Sequence, residues 1–308
     1  MLANLSTQIS LFYQNLTMID YAYLDRKMAV IGNSLAVDVE LIGEAKEGII
    51  FDFSNAKREI KKIIDQTIDH SLVITKQIMM KESPTGQLHL HYKLNGAKGY
   101  LEYWAPTSAF CKIDAKHVSN KSIKSFLEKI ILPQMPTNVR SVRVTLREEE
   151  GKRGEHFLCY THGLKNHYGN CQRLLHGHRS LIKVFTNGRK NSKLAAQLSK
   201  KRFKSNIHFA LWDNIVNKQE ILSAYPEAIS ASGIVLEKIK IVHLQYDGSQ
   251  GHFELKLPGF AVALFGNETT IENLTTNFAI ILKKNLKQKD RLIVKGFEGI
   301  GKGASATG

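Results

Sequence analysis

The stretch from His162 to His178 reads HGLKNHYGNCQRLLHGH, and RSLIKVF follows it at residues 179–185. The second segment is typical of a β-strand, in which successive side chains point to opposite faces. His176 and His178 are therefore predicted to project from one face, with Gly177 letting the backbone bend between them. Two imidazoles on one face and a third from a neighbouring strand are the usual protein ligands of a catalytic zinc ion. The spacing predicts a zinc site formed by His162, His176 and His178.

One thiol lies inside the same loop. Cys171 precedes His176 by five positions, and a thiolate beside a cation can abstract a proton. A free cysteine can also be a small buried hydrophobic residue, which is the simpler interpretation. The fourth histidine of the stretch, His167, is interpreted as a surface residue. The loop therefore predicts proton chemistry at Cys171 next to the metal.

The bulk composition indicates a globular protein with room for two domains. The chain has 308 residues, 43% of them hydrophobic, and no apolar run near the length of a membrane span. The N-terminus lacks the plan of a signal peptide, and three cysteines argue against a disulfide scaffold. These features predict a cytoplasmic protein without a membrane partner.

The net charge of +15 points to an anionic partner or to a solvated basic surface. Basic residues cluster at 189–204 and at 283–289. Phosphorylated metabolites suit such a surface, and so do nucleic acids. No basic strand is interleaved with aromatic residues and no zinc-finger spacing occurs, so nucleic acid is the less favoured partner.

Hydrophobic periodicity predicts an α+β chain in which the second half repeats the first. In the first half, strands are predicted at 18–24, 34–41, 88–94, 99–104 and 141–146, and helices from the N-cap Ser54 to 69 and at 121–131. In the second half, strands are predicted at 157–162, 179–185, 240–246, 252–257 and 291–296, and helices at 212–224 and 270–286. A charged linker at 147–153 divides the domains 1–150 and 151–308. The pattern within 187–239 does not define its helices.

The two halves are complementary in their chemistry. Aligning Gly32 with Gly177 places Ile31 and Asn33 where His176 and His178 stand. The first half contains no histidine before residue 70, and the second half contains no Asp-His pair. The metal ligands are therefore predicted in one half only.

Several short motifs resemble the 6-pyruvoyltetrahydropterin synthase and 6-carboxytetrahydropterin synthase family. They are GIIFDFSNAK at 48–57, the pair Asp69-His70, the loop from Cys171 to His178, TIEN at 270–273 and FEG at 297–299. The resemblance implies two tandem tunnelling-fold (T-fold) domains, each a four-stranded antiparallel sheet with two helices on one face. It also implies a homo-oligomer, since single-repeat members form closed rings.

The resemblance further implies a role for each matching residue. Zinc would be bound by His162, His176 and His178, protons would be transferred by Cys171 with Asp69 and His70, and substrate would be bound by Glu298, Glu272 and Thr270. In the family the Asp-His pair reaches the zinc site from a neighbouring subunit. The first half lacks the zinc ligands and offers only Glu148 or a neighbour as an anchor. The second half reads ALWD at 210–213 where an Asp-Phe motif is expected. One working site per pair of repeats is therefore predicted.

The expected activity is that of a zinc-dependent lyase acting on 7,8-dihydroneopterin triphosphate. The product implied by the resemblance is 6-carboxytetrahydropterin, on the route to queuosine. Two alternatives stay open: formation of 6-pyruvoyltetrahydropterin, and a non-catalytic paralogue that binds a pterin or RNA. Asp69-His70 could simply end a helix, and Glu298 could be a solvated strand end.

Overall fold

The computed structural model describes residues 9–45, 48–84 and 86–308. The strands are β1 (Ile9–Asp25), β2 (Ala29–Gly43), β3 (Leu72–Thr75), β4 (Met80–Glu82), β5 (Gln87–Lys93), β6 (Tyr100–Pro106), β7 (Phe110–Ile113), β8 (Val139–Arg147), β9 (His156–His162), β10 (His176–Thr186), β11 (Arg189–Lys190), β12 (Asn206–Leu211), β13 (Ser232–Val235), β14 (Val242–Gly248), β15 (Gly251–Leu257), β16 (Val262–Phe265), β17 (Leu292–Phe297) and β18 (Gly303–Thr307). The helices are α1 (Phe53–Thr67), α2 (Asn120–Ile131), α3 (Ser192–Ala196), α4 (Lys218–Ala224) and α5 (Ile271–Lys283), with a π-helix at Gln197–Arg202 directly after α3.

The strand order repeats between the two halves of the chain. The first sheet runs β7-β3-β1-β2-β8, and the second sheet contains the run β16-β12-β9-β10-β17. In both runs the two long hairpin strands are antiparallel, β1 with β2 and β9 with β10. In both, the next two strands are parallel to the first hairpin strand, and the last strand is antiparallel to the second. The strand order of the first sheet therefore recurs within the second sheet, and a tandem pair of T-fold domains stays a prediction.

The expected four-stranded antiparallel sheet is wrong in detail. The first sheet has five strands, of which β3 and β7 are parallel to β1. The predicted strands at 88–94 and 99–104 correspond to β5 and β6, and these belong to a third sheet with the order β14-β15-β6-β5-β4. Because β3 is buried along its whole length, it shows no alternation by which the sequence could reveal it.

The helices cover one face of each repeated sheet. Apolar side chains of α1 and α2 pack with the first sheet in one core, and those of α3, the π-helix and α5 pack with the second sheet in another. The predicted N-cap Ser54 is wrong, since the Asp52 side chain accepts a hydrogen bond from Asn55 N at 2.9 Å and caps α1. Asp52 has extended backbone angles, as a helix N-cap requires.

The segment 187–239, which the sequence left undefined, contains α3, the π-helix, β12, α4 and β13. Of the helix predicted at 212–224, only a 3₁₀ turn at Trp212–Asn214 and the seven residues of α4 form. Both belong to the core that includes Trp212 and Ile221 and lies under the third sheet. Tertiary packing has divided a segment that its periodicity presents as continuous.

The third sheet joins the halves. Strand β6 of the first half pairs with β15 of the second, and the core beneath contains residues of both halves. The hydrophobic core is therefore not divided at residue 150. A domain boundary at that residue stays a prediction. Over the described ranges, none of the helices has the length and apolar character needed to cross a membrane.

The two repeated sheets meet where their hairpins present glycine. A Cβ on Gly177 would lie 2.4 Å from Gly32 Cα and 2.9 Å from Tyr160 O. A Cβ on Gly32 would lie 2.0 Å from that same Tyr160 carbonyl. The glycines that the sequence alignment equates are therefore in backbone contact, and this contact joins the metal-site hairpin to the first half.

Alanine at position 177 is expected to destabilise the protein by about 1–3 kcal/mol or more, because backbone atoms cannot move aside as a side chain can. Equilibrium urea unfolding measures this free energy. Gly151→Ala is the matched control, since its Cβ would meet only the Phe157 ring edge, at 2.7 Å. Equal losses of unfolding free energy in the two variants would contradict a special role for the backbone contact between Gly177 and Gly32.

Candidate active site

Three buried histidines form the centre of the site. His162 ends β9 and pairs in register with His176, the first residue of β10. His178 follows on the same face of β10, as strand alternation predicts. One ring nitrogen from each lies within 4.8 Å of the others, and the three side chains are at most 1% exposed. The structure thus brings together the three residues that the sequence nominated as metal ligands.

The Nδ1 atoms of the histidines face acceptors from the surrounding chain. His162 Nδ1 lies 2.9 Å from the Thr269 carbonyl, and His176 Nδ1 lies 2.8 Å from the Arg173 carbonyl. A carbonyl can only accept, so these nitrogens carry hydrogen and leave the opposite nitrogen with a lone pair. His178 Nδ1 lies 3.3 Å from a carboxylate oxygen of Asp20.

The remaining nitrogens fit a divalent metal ion. Among the described residues, Nε2 of His162 and both ring nitrogens of His178 are buried without a hydrogen-bond partner, and Asp20 is the ion-pair neighbour of Nδ1 of His178. Burial, followed by the charge of neighbouring histidines, lowers the pKa of His162 and of His176 well below the ordinary value. Neutral imidazoles with free, converging lone pairs are what a three-histidine metal site requires.

The Asp-His pair of the first half lies against the loop of the second half. Asp69 Oδ2 lies 2.7 Å from His70 Nδ1, and a ring nitrogen of His70 lies within 4.8 Å of the Cys171 sulfur. The ring of His70 is 5.0 Å from that of His176, centroid to centroid. The pair predicted to approach Cys171 therefore does so within one chain.

His70 adopts a left-handed backbone conformation, with φ at +54°. This region is uncommon for residues other than glycine, although histidine enters it more readily than most. It is stabilised here by a hydrogen bond from His70 N to the Asp20 carbonyl at 2.6 Å. The backbone therefore turns at the residue whose ring must reach the thiol.

The charge state of His70 follows from its partners. Burial lowers its pKa, but the hydrogen bonds to Asp69 and to Cys171 outweigh burial and raise the pKa to about 10. The ring is therefore a cation at neutral pH, held between a carboxylate and a thiol.

This shift predicts how stability depends on pH. Below the ordinary value of 6.5, His70 is protonated in folded and unfolded protein alike, and the stabilisation from its partners is complete. As pH rises towards 10, the folded protein loses that proton and the stabilisation with it. The metal-free protein is therefore expected to become less stable over this range.

Urea unfolding of the metal-free protein at the two ends of this range measures the effect. His70→Asn, which tolerates the left-handed backbone, should show a much weaker pH dependence. His167→Asn, at an exposed position in the same loop, should behave as the wild type does. An unchanged pH dependence in His70→Asn would contradict the assignment.

Two metal-ligand groups share one residue. The atoms of His70, Cys171 and His176 also lie within 4.8 Å of one another, as do those of His162, His176 and His178. Each group uses one ring nitrogen of His176, whose Nδ1 is held by the Arg173 carbonyl. Only one nitrogen of His176 is left for a metal, so the two positions cannot both hold an ion at the same time.

Glu298 lies at the edge of the site, directly after β17. Burial and then the negative charge of Glu298 raise the pKa of Tyr160, whose ring is 5.1 Å from that of His178. The charge of Glu298 also raises the pKa of Lys302, with Asp20 acting more strongly and burial opposing both. The expected anchor residue therefore follows the strand that pairs with β10, and its backbone N–H donates to the Lys302 carbonyl at 3.0 Å.

Thr270 and Glu272 begin helix α5 instead of facing the histidines. The Thr270 hydroxyl caps the helix by accepting from Asn273 N at 3.4 Å, and Glu272 is an exposed acidic residue of the first turn. The preceding residue, Thr269, is the one that contacts His162. A substrate-binding role for Thr270 and Glu272 stays a prediction.

The equivalent position in the first half is filled differently. By strand register, Tyr23, Ile31 and Asn33 stand where the second half has His162, His176 and His178. Arg179 of the second half lies beside Glu148 of the first half. Its Cζ is 3.5 Å from the centre of the Phe157 ring, and its Nε is 3.8 Å from a Glu148 oxygen. Arg179 therefore neutralises the carboxylate that corresponds to Glu298.

The sequence did not nominate three contributors to the site. The Thr269 and Arg173 carbonyls accept from the outer nitrogens of His162 and His176, and an oxygen of Asp20 lies 3.3 Å from that of His178. A carboxylate within the apolar strand 18–24 was the one available signal, because buried charges need partners. The other two act through backbone carbonyls, which every residue possesses.

Comparison with known proteins gives a likeness at the level of solved structures. No protein-family model and no curated protein matches the chain. The chain is similar to 6-pyruvoyl tetrahydropterin synthase from Plasmodium vivax, at 19% identity over 47% of this chain and 94% of that chain, with a TM-score of 0.36. It is similar to the synthase from Plasmodium falciparum, at 16% identity over 45% of this chain and 90% of that chain, with a TM-score of 0.36. An uncharacterised protein from Wolinella succinogenes matches at 13% identity over 46% of this chain and its own whole length, with a TM-score of 0.25. The function proposed below therefore rests on the residues of the site.

Proposed function

We propose that the chain is a zinc-dependent lyase of the pterin-synthase type that acts on 7,8-dihydroneopterin triphosphate and forms 6-carboxytetrahydropterin for queuosine biosynthesis. The observation that carries this proposal is the position of Asp69-His70 against Cys171, beside three buried histidines, two of which are fixed by hydrogen bonds at Nδ1. Such a set joins a metal site to a proton-transfer pair. The motif resemblance supplies the substrate class.

Zinc would be held by His162, His176 and His178, with one coordination position left for substrate. When bound, zinc acts as a Lewis acid that holds substrate hydroxyls and makes them more acidic. Thr269 and the Arg173 carbonyl would keep two of the rings in the tautomer that binds metal.

Proton transfer would be divided between Cys171 and His70. The sulfur is placed to take a proton from the substrate side chain, and the cationic His70 ring beside it is placed to return one. Asp69 orients that ring through its 2.7 Å contact with Nδ1. The two groups would therefore divide the roles of base and acid.

The pterin end of the substrate would be bound by Glu298, and Thr270 and Glu272 are proposed to lie near it. A carboxylate can accept from two neighbouring N–H groups of a pterin ring at once. Lys302, which lies 3.6 Å from Asp20 and is half exposed, would be the nearest cation for the phosphates. The general positive charge would attract such a substrate.

Incubation of zinc-loaded protein with 7,8-dihydroneopterin triphosphate, followed by mass spectrometry, tests the proposal. The expected product has the mass of 6-carboxytetrahydropterin. A product with the mass of 6-pyruvoyltetrahydropterin would keep the site and change the reaction, since the same acid and base groups serve both. A zinc-loaded protein that converts no substrate would overturn the proposal.

We also propose that the chain self-associates. The first sheet ends in β7 and β8, and in the described residues no further strand pairs with either outer edge. Open edges present unpaired N–H and C=O groups that favour pairing with another chain. Light scattering should give a mass above the 34.7 kDa of one chain. A monomer at every concentration would contradict this assembly.

A further inference from the structure

Asp20 is a buried carboxylate in the middle of β1. Its side chain is 2% exposed, and its strand neighbours Ile19 and Tyr21 are buried as well. Burying a charged group is costly unless it is paired and hydrogen-bonded. The Asp20 carboxylate therefore needs partners in the interior.

The two carboxylate oxygens of Asp20 have separate partners. Oδ1 lies 3.3 Å from His178 Nδ1 and accepts a hydrogen bond from the Ser34 hydroxyl. Oδ2 lies 3.6 Å from Lys302 Nζ. The carboxylate therefore lies between one metal-ligand histidine and one lysine.

The backbone of the same residue holds the proton-transfer pair. Asp20 N donates to Asp69 Oδ1 at 2.9 Å, and the Asp20 carbonyl accepts from His70 N at 2.6 Å. The other oxygen of Asp69 is the one that orients the His70 ring. The side chain and the backbone of Asp20 therefore serve the two parts of the site at once.

We propose that Asp20 is a positioning residue that holds His178 through Nδ1, so that Nε2 faces the metal, and that fixes Asp69 and His70 in register with it. This role rests on the proposed function, since it presumes a metal held by the three histidines. A carboxylate behind a metal-bound imidazole fixes the ring and increases the basicity of the ligand. Here that carboxylate comes from the first half of the chain and the imidazole from the second.

The role predicts a specific loss in Asp20→Asn. An amide can keep the shape and one hydrogen bond, but it removes the negative charge behind His178. Zinc affinity is expected to fall by about 10–100-fold, the usual effect of losing such a partner. The visible spectrum of the cobalt-substituted protein should shift as well, because the ligand field reports the orientation of His178.

Zinc and cobalt affinities of three proteins test this: the wild type, Asp20→Asn and Asp25→Asn. Asp25 lies on the same strand, and its side chain accepts from the backbone of Lys27 and Met28, which an asparagine can replace. The control should bind metal as the wild type does. An Asp20→Asn protein that binds with wild-type affinity and spectrum overturns the positioning role alone. A wild type that binds no metal overturns the proposed function and this role with it.

A crystal structure of the zinc-loaded wild type tests the role even if Asp20→Asn does not fold. The expected result is His178 bound to zinc through Nε2, with Nδ1 within hydrogen-bond distance of Asp20. Zinc bound through Nδ1, or bound directly by the Asp20 carboxylate, would overturn the proposal.

Discussion

Replacing Cys171 with alanine is expected to reduce turnover of 7,8-dihydroneopterin triphosphate by about 10²–10⁴-fold, the usual contribution of a positioned acid or base. Zinc content should not change, because the three-histidine group does not include the sulfur. His70 would remain, but the variant would lack the sulfur that is proposed to take the proton from the substrate. Steady-state turnover and elemental analysis of the same preparation measure both quantities.

Cys159→Ala is the matched control for this experiment. Cys159 lies on β9, and burial raises the pKa of its thiol to about 11, so that it stays protonated at neutral pH. Its removal should leave turnover close to that of the wild type. Retained turnover in Cys171→Ala would contradict the proposed base. Loss of zinc in that variant would instead place the ion in the group formed by His70, Cys171 and His176.

Replacing His176 with alanine is expected to abolish zinc binding, and with it turnover. A nitrogen of His176 belongs to both candidate groups, so its loss leaves two ligands in either position. Two side-chain ligands are fewer than catalytic zinc sites use. Elemental analysis after dialysis against a chelator measures the loss.

His167→Ala is the control for that measurement, because His167 is exposed in the same loop and lies outside both groups. It should retain zinc as the wild type does. Full zinc content in His176→Ala would place the metal elsewhere in the protein, and the proposed site would then be wrong.

The sequence was informative where local rules apply. Strand alternation placed His176 and His178 on one face, and the antiparallel register of β9 and β10 then brings His162 beside them. The equivalence of Gly32 and Gly177 was visible because a close backbone approach restricts a position to glycine. Short strands buried on all sides, such as β3, leave no such pattern.

The sequence was less informative about contacts between the halves. The approach of Asp69 and His70 to Cys171 was expected from a motif resemblance and from no periodicity. The role of Asp20 depends on a histidine in the other repeat, and nothing local to strand 18–24 identifies that partner. Arg179 belongs to the second half but lies at the corresponding position of the first half. It was likewise interpreted only as part of a strand.

The central claim is that each chain holds one complete site, with Asp69 and His70 from its first half and the metal ligands and Cys171 from its second. Two inactive variants, Cys171→Ala and His70→Asn, can be co-expressed with different tags and purified as mixed assemblies. Turnover of 7,8-dihydroneopterin triphosphate by these assemblies, relative to the wild type, is the deciding measurement. A site built within one chain predicts no recovery above the parent variants. Recovery of a substantial part of wild-type turnover would mean that the halves meet between chains, and would contradict the claim.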